Sequence, residues 1–181
     1  MGDIILDLAV SLDSLIEGPN GEYDWCIMEP EMNFSGFLNS IDAVFYGRKS
    51  YEQFGSQVPD TFSELERETY DVVNRKKKYV FSDTLSPENC PDTVIRSWDL
   101  LRDVAAIKQQ TQKNIWLFGG ASLVTTFINH NLIDEYRLSV HPIVLGAGKP
   151  LFQGIEQRVQ LKLTGSKTFP SGVIQLYYRR G

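Results

Sequence analysis

Two apolar segments that end in glycine and lead directly into a helix-like segment are the strongest constraint on the fold of this chain. They occupy residues 44–51 (Val-Phe-Tyr-Gly-Arg-Lys-Ser-Tyr) and 115–122 (Ile-Trp-Leu-Phe-Gly-Gly-Ala-Ser). A strand-to-helix turn of this kind directs free backbone N–H groups and the positive end of a helix dipole at one point, which suits phosphate. Two such turns predict an α/β fold with a dinucleotide site, although short glycine turns also serve as plain connections in α/β proteins.

The two turns differ in the side chains they carry. Arg48, Lys49 and Ser50 give the first turn two cations and a hydroxyl, which are groups that bind phosphate oxygens. Together with the repetition of the turn, these cations favour a ligand site over a plain connection. The second turn has small residues that permit close backbone contact: Gly119, Gly120 and Ser122.

The rest of the first half of the chain alternates between apolar runs and polar stretches. Residues 4–11 are predicted to form a mostly buried strand, and residues 12–25, rich in Gly, Pro, Asn and Asp, a long loop. Loops of this length inside compact domains are often lids or binding loops. A short helix is predicted within residues 28–41 and a buried strand over residues 43–46, just before the first glycine turn.

The second half of the chain continues this alternation of helices and strands and then ends in two strand-like segments. The predicted elements are a helix over 61–73, strands over 79–82 and 93–96, a helix over 98–110 with Ser97 as its N-cap, a helix over 121–129 and a strand over 135–141. Residues 159–168 and 173–179 alternate apolar and polar side chains, which predicts an antiparallel hairpin. We therefore expect a mostly parallel sheet with helices on both faces and an antiparallel edge.

Composition excludes several classes of protein. A chain of 181 residues with 42% hydrophobic and 23% charged residues is expected to form one soluble globular domain. A net charge of −5 argues against a general nucleic-acid binder, whose affinity rests on clustered Lys and Arg. The basic run at residues 75–78 is predicted to be a solvated helix end, with long-range attraction for an anionic ligand as the alternative.

Cysteine and histidine usage points to an intracellular protein without a metal site. Cys26 and Cys90 form no C-x-x-C or metal-ligand pattern and follow no secretory segment, so we expect reduced thiols in the cytoplasm. His130 and His141 belong to no metal-binding motif. No apolar stretch is long enough to cross a membrane, so no membrane association is expected.

Several motifs in the same order resemble those of the dihydrofolate reductase fold. They are residues 9–13 (Ala-Val-Ser-Leu-Asp), 24–25 (Asp-Trp), 46–51, 118–121, 132–135 and 142–152. The combination is most similar to the reductase domain of the riboflavin-biosynthesis deaminase/reductase and its stand-alone relatives. This resemblance covers nearly the whole chain, so it implies a single three-layer dihydrofolate reductase-like domain over residues 1–181, and a homodimer more often than a monomer.

By this resemblance, the two glycine turns hold NADPH between them. The cations of the first turn stand where an NAD site usually has a carboxylate, which favours NADP over NAD. The nicotinamide is expected near the small side chain of Ala9, under the loop 12–25. The implied cofactor-binding residues are Ala9, Gly47, Arg48, Lys49, Ser50, Ser82, Arg96, Gly119, Gly120, Ala121 and Ser122.

The resemblance also implies a proton donor and a substrate pocket. Asp13, Glu29 and Glu31 are the candidate donors, with a turn aspartate and solvated helix-start charges as the alternative interpretations. Trp25 and Tyr46 are the candidate substrate contacts, with core packing as the alternative.

Three functions remain open on the sequence. The first is an NADPH-dependent reductase of a small heterocycle, with 5-amino-6-(5-phosphoribosylamino)uracil as the preferred substrate. The second is a dihydrofolate or pterin reductase. The third is a protein that binds NADPH without turnover.

Overall fold

The strands of the computed structural model, which describes residues 2–56 and 64–181, form one large and one small sheet. In chain order the strands are β1 (Ile4–Ser11), β2 (Leu15–Glu17), β3 (Ile41–Gly47), β4 (Lys77–Phe81), β5 (Thr93–Ile95), β6 (Asn114–Gly119), β7 (Glu135–His141), β8 (Lys149–Pro150), β9 (Leu161–Thr168) and β10 (Ile174–Arg180). The large sheet has the order β5-β4-β3-β6-β1-β7-β10-β9, and β2 pairs separately with β8.

The strand directions confirm the predicted mixed sheet. All pairs from β5 through to β7 are parallel, whereas β10 is antiparallel to both β7 and β9. Because six strands run in one direction, their carboxyl ends lie along one edge of the sheet, where α/β folds place ligands. Both glycine turns leave the sheet at that edge, after β3 and β6.

Five α-helices in the described residues cover the sheet. They are α1 (Phe34–Asn39), α2 (Arg48–Ser50), α3 (Glu64–Asn74), α4 (Leu100–Gln110) and α5 (Ala121–Asn129). A π-helical turn, Tyr51–Gly55, continues α2, and residues 61–63 of the predicted helix 61–73 lie outside the described part of the chain. None of the described helices is long and apolar enough to span a membrane.

The prediction of Ser97 as a helix N-cap is wrong. Residues Ser97–Asp99 form a 3-10 turn, and α4 begins only at Leu100 without a side-chain cap. The Ser97 backbone N–H instead donates to Asp83 Oδ1 at 2.8 Å. The start of this helix is therefore fixed by a hydrogen bond to a residue 14 positions earlier in the chain, which the local sequence does not indicate.

Side chains of the central strands alternate between two apolar cores, one on each face of the sheet. The first core joins Leu6, Phe45 and Leu117 to buried residues of α4 and α5. The second joins strand residues such as Ile5 and Trp116 to α1 and α3. This alternation is the two-residue period of a strand, and it produces the predicted three-layer arrangement.

The basic run at residues 75–78 is only in part the solvated helix end that its sequence predicts: exposed Arg75 donates to the Asp71 carbonyl at the end of α3 at 3.1 Å, but two of the lysines do not fit. Lys76 Nζ donates to the Ile41 carbonyl at 3.0 Å, and buried Lys78 donates to the Gly55 carbonyl at 2.6 Å. Both ammonium groups satisfy backbone acceptors, since β4 starts inside this run rather than after it. The run thus anchors the start of β4.

Two neighbouring tyrosines in the second core give a test of the packing. Tyr51 donates to Asp92 Oδ2 at 2.8 Å, whereas the fully buried hydroxyl of Tyr46 has no partner among the described residues. Tyr51→Phe should lower the free energy of unfolding by roughly 1.5 to 3 kcal/mol, because it removes a hydrogen bond to a charged group. Tyr46→Phe should leave it equal or higher, because no bond is lost.

Thermal or urea unfolding of the two variants provides the measurement. The substitutions remove the same atom from the same residue type, so each serves as the control for the other. Equal losses of stability in both variants would contradict the assigned bonding.

Candidate active-site cleft

A cleft of about 1260 Å³ opens along the carboxyl edge of the parallel strands. Its floor is the sheet, one end is formed by the glycine turns, and α1 and the loop after β1 form its walls. Among the described residues, those of the floor and of the turns are Asp7, Ala9, Trp116, Arg137, Ser139, Gln175, Tyr177, Lys49, Ser50, Gln53, Phe54, Gly119, Gly120 and Ala121.

The two glycine turns touch each other at the end of the cleft. A Cβ atom built on Gly47 would lie 3.4 Å from the Gly120 nitrogen, and one built on Gly120 would lie 3.1 Å from Ser50 Oγ. Gly119 has a φ of 115°, which residues with a Cβ rarely adopt. The two turns are therefore in contact, and their joint use as one binding site stays a prediction.

The predicted cofactor residues divide into two sets by position. Ala9, Lys49, Ser50, Gly119, Gly120 and Ala121 line the cleft. Arg48 instead forms an exposed ion pair with Glu52 at 3.0 Å. Gly47 and the exposed Ser122 flank the turns without lining the cleft.

Ser82 and Arg96 meet at the carboxyl ends of β4 and β5. The Arg96 guanidinium donates to the Ser82 carbonyl at 2.7 Å, and Ser82 Oγ accepts the backbone N–H of Leu85 at 2.9 Å. The two residues thus hold each other and the following loop, at the same sheet edge as the glycine turns but outside the cleft lining.

Two rows of side chains, all but one of them polar, cross the floor of the cleft. Asp7, Arg137 and Tyr177 lie opposite one another on β1, β7 and β10. The next row along the strands comprises Ala9, Ser139 and Gln175. Bonds within and between the rows hold them: Gln175 Nε2 donates to Ser139 Oγ at 3.2 Å, and the Tyr177 hydroxyl donates to Gln175 Oε1.

Asp7 is the ionisable group most perturbed by this environment. Burial raises the pKa of its carboxyl to about 7, with Glu135 acting in the same direction and Arg137 against it. Its backbone carbonyl accepts the Trp116 indole N–H at 2.9 Å. A carboxyl with this pKa is present in both protonation states near neutral pH, which is the property of a proton-transfer group.

Sequence reasoning missed these floor residues although one signal was present. A charged residue interrupts the otherwise apolar residues 4–10 at Asp7, and the neighbouring strand β7 carries Arg137 among mixed polar and apolar residues. Ionisable residues are seldom buried without a partner or a functional reason. The predicted site residues lie mainly at strand ends and in loops, whereas these residues lie within strands.

The three predicted proton donors serve as anchors outside the cleft lining. Asp13 accepts N–H bonds from Leu145 at 3.1 Å and Gly146 at 2.8 Å. A hydrogen bond from the Ser11 hydroxyl, then that from Gly146, lowers the pKa of the Asp13 carboxyl to about 2, so it holds no proton to donate at neutral pH.

The two glutamates bind near the hairpin between β9 and β10. Glu29 accepts a hydrogen bond from the Ser171 hydroxyl, and the Glu31 backbone carbonyl accepts one from Lys167 Nζ. These contacts tie the segment before α1 to the hairpin. The geometry of Asp13 thus corresponds to a turn aspartate and exposed Glu31 to a solvated helix-start charge, whereas the Glu29 carboxylate is bonded to the hairpin.

The two predicted substrate contacts also lie behind the cleft surface. The Trp25 indole N–H donates to the Glu22 carbonyl at 3.3 Å, and its ring meets the edge of His141 at 5.3 Å. Tyr46 is fully buried and packs on Phe118. The aromatic side chains that line the cleft include Phe34, Phe37, Trp116, Phe118 and Tyr177.

The predicted lid is tied to the body of the protein at both ends. β2 pairs with β8, and Lys149 Nζ bonds Glu17 Oε1 at 3.0 Å beside that pair. At the far end, the Ile27 N–H donates to His141 Nε2 at 2.9 Å. Between these anchors, the cleft wall includes Asn20, Gly21, Tyr23 and Cys26.

Comparison with known proteins places the sequence in one family. The chain matches the family described as RibD C-terminal domain over residues 3–175. It is 52% identical to the uncharacterized protein YyaP of Bacillus subtilis (strain 168) over 176 residues, which are 97% of this chain and 93% of YyaP.

Solved structures show the same fold at low identity. A putative riboflavin biosynthesis protein from Shewanella sp. PV-4 aligns with a TM-score of 0.75 at 24% identity, covering 100% of this chain and 99% of that one. The 5-amino-6-(5-phosphoribosylamino)uracil reductase with its deaminase from Thermotoga maritima gives 0.71 at 13%, covering 99% and 57%. Dihydrofolate reductase from Enterococcus faecalis, complexed with NADP(H), gives 0.68 at 12%, covering 99% and 97%. The predicted dihydrofolate reductase-like fold is confirmed.

Alanine substitutions at the two glycines of the second turn should distinguish the cost of backbone strain from the cost of filling space in the cleft. Gly119→Ala forces a residue with a Cβ to a φ of 115° and should cost roughly 1 to 3 kcal/mol of stability. Gly120→Ala keeps an ordinary φ of −86°, and its Cβ meets only the Ser50 hydroxyl, so its effect should be smaller. Melting temperatures without ligand measure both, and a larger loss for Gly120→Ala would contradict this assignment.

Asp7 should make the protein less stable as pH rises. The folded-state pKa of about 7 exceeds the unfolded value of 3.8, so between these values only the unfolded state releases the proton. Asp7→Asn should therefore gain stability relative to the wild type from pH 4 to pH 8, by at most roughly 4 kcal/mol. Urea unfolding at both pH values measures this difference, and Asp103→Asn on α4 is the control. A gain that is independent of pH would contradict the shift.

Proposed function

The chain belongs to the RibD C-terminal domain family, and on this basis we propose that it is an NADPH-dependent reductase of a small heterocyclic substrate. One observation carries the proposal: a single cleft connects the contact of the two glycine turns with the polar rows of the sheet floor. The phosphate-binding end and the polar end lie on opposite sides of Ala9, whose small side chain leaves room for a flat ring against β1.

The residues of the turns fit a dinucleotide. A Cβ at Gly120 would occupy the space in front of Ser50 Oγ, so the glycine keeps a backbone cradle open there. Lys49 and Ser50 add a cation and a hydroxyl at this end. A lysine rather than a carboxylate supports a cofactor with an extra phosphate. When bound, a nicotinamide cofactor supplies hydride.

The other cleft residues orient the substrate and exclude water. Phe34, Phe37 and Trp116 offer aromatic surface for a heterocycle, and Gln175 and Ser139 offer donors and acceptors for its polar groups. The loop between β1 and α1 covers this end while its two anchors hold it in place. Exclusion of water strengthens the electrostatic interactions within the cleft.

The uracil substrate class fits better than a folate. In dihydrofolate reductases the carboxylate lies on the helix after the loop, but here Glu29 and Glu31 contact the hairpin instead of lining the cleft. Arg137 on the floor, together with Lys149 and Lys167, places cations in the cleft lining, which suits an anionic substrate such as 5-amino-6-(5-phosphoribosylamino)uracil.

Titration of the protein with NADPH and NADH, followed by tryptophan fluorescence, tests the proposal directly, because Trp116 lines the cleft. We expect selective NADPH binding and NADPH oxidation with 5-amino-6-(5-phosphoribosylamino)uracil. Binding of neither cofactor would overturn the proposal. Selective binding without oxidation by this compound, dihydrofolate or a dihydropterin would support the non-catalytic alternative.

The two cations of the first turn should contribute unequally to NADPH affinity. Lys49 lines the cleft, whereas Arg48 is paired with Glu52 on the surface. Lys49→Ala should weaken NADPH binding by about tenfold or more, as expected for the loss of a charge-assisted hydrogen bond of roughly 1.5 to 3 kcal/mol. NADH binding should weaken less if this lysine binds the extra phosphate.

Arg48→Ala is the matched control, since it removes one positive charge from the adjacent position. Its effect on the NADPH dissociation constant should be several-fold smaller. An effect of Arg48→Ala equal to or larger than that of Lys49→Ala would assign the phosphate to the arginine instead.

A further inference from the structure

The carboxyl of Asp7 occupies the central position on the cleft floor. Within β1, Ile5 lies in the apolar core, Asp7 comes two residues later on the same face, and Ala9 follows. Residues two apart on a strand are separated by about 6.6 Å. Asp7 is the one carboxyl in β1, and it is therefore separated by a single strand residue from Ala9, where the nicotinamide is proposed to lie.

This carboxyl is free of hydrogen bonds, unlike the other acidic groups around it. Within the part of the chain that the structure describes, no side chain or backbone N–H donates to it. Glu135 accepts from both Arg137 and Arg179, and Glu17 from Lys149. An unpaired carboxyl facing a cleft is open to a ligand.

Burial favours the protonated form of Asp7, Arg137 opposes it and Glu135 adds to it, and no described group forms an ion pair with this carboxyl. Arg137 bonds Glu135 and lies over the rings of Phe37 at 5.3 Å and Tyr177 at 5.7 Å. The charged and titratable groups that face Asp7 are Arg137 and Glu135 from β7 and Tyr177 from β10, whereas β6 and α1 present aromatic rings.

We infer that Asp7 is the proton donor of the reduction, an assignment that rests on the proposed function. Its carboxyl gives a proton to the nitrogen or oxygen of a C=N or C=O bond in the substrate while hydride adds to the carbon. The π electron pair becomes the new N–H or O–H bond, and the reduced nicotinamide cofactor is oxidised. The Asp7 carboxylate then takes up a proton from water.

Asp7→Asn keeps the shape of the side chain and removes the acidic proton of the carboxyl group. With NADPH and 5-amino-6-(5-phosphoribosylamino)uracil, kcat should fall by about 100-fold or more, while the NADPH dissociation constant stays within about threefold. Wild-type kcat/KM should fall as pH rises through about 7, because the donor form is lost, and this limb should be absent in Asp7→Asn. Asp7→Glu should restore part of the rate.

The control is Asp103→Asn, which makes the same chemical change on α4, on the opposite face of the sheet. It should leave both kcat and the pH profile unchanged. A merely structural role for Asp7 would lower stability or cofactor affinity and would leave the alkaline limb of the profile in place.

A second measurement needs no turnover. Carbon-13 NMR of protein labelled at the aspartate carboxyls, with Asp7→Asn to assign the resonance, should show Asp7 titrating near pH 7 in the NADP⁺ complex. Titration below about pH 5 overturns the inference. If the wild type is active and Asp7→Asn has the same kcat, the inference is also overturned, but the proposed function survives. Failure of the wild type to bind either nicotinamide cofactor overturns both.

Discussion

The pleat of the central strand β1 is the constraint on which the rest of the structure depends. Successive side chains of a strand point to opposite faces, so Leu6 and Val10 enter the core beneath α4 and α5, while Ile5, Asp7 and Ala9 face the other layer. A shift of one residue in register would bury Asp7 among aliphatic side chains and turn Leu6 towards the cleft. Fold and cleft chemistry are thus set by the same register.

The electrostatics of the cleft follow from this placement. A carboxyl held on a partly buried floor, beside Arg137 and Glu135 of β7, is pushed towards its neutral form at a cost in stability that grows above pH 4. Arg137 compensates only in part because Glu135 shares its charge. Sites that retain such an unfavourable group are typically functional ones, where stability is given up for a tuned ionisation.

The loop carboxylate Asp13 and the strand carboxylate Asp7 have different surroundings. Asp13 sits in the expected S-L-D motif at the end of β1, yet two backbone N–H groups occupy it and it fastens one loop to another. Asp7, six residues earlier in an apolar strand, is the group left open to the cleft. The motif indicates this region of the fold, but hydrogen bonds from residues more than 130 positions away decide which carboxylate is free.

The sequence by itself determined the order of the elements, both glycine turns and the mixed sheet, since these depend on local periodicity and on glycine's freedom of φ. Helix 121–129 and strands 4–11 and 135–141 match their predicted bounds. Only the tertiary structure decided that Lys49 rather than Arg48 faces the cleft, that Tyr46 is a core residue, and that Asp7, Arg137 and Tyr177 form one row. Those outcomes depend on pairing between strands that are distant in sequence, and no local pattern records the partner of a strand or the contacts of a side chain across it.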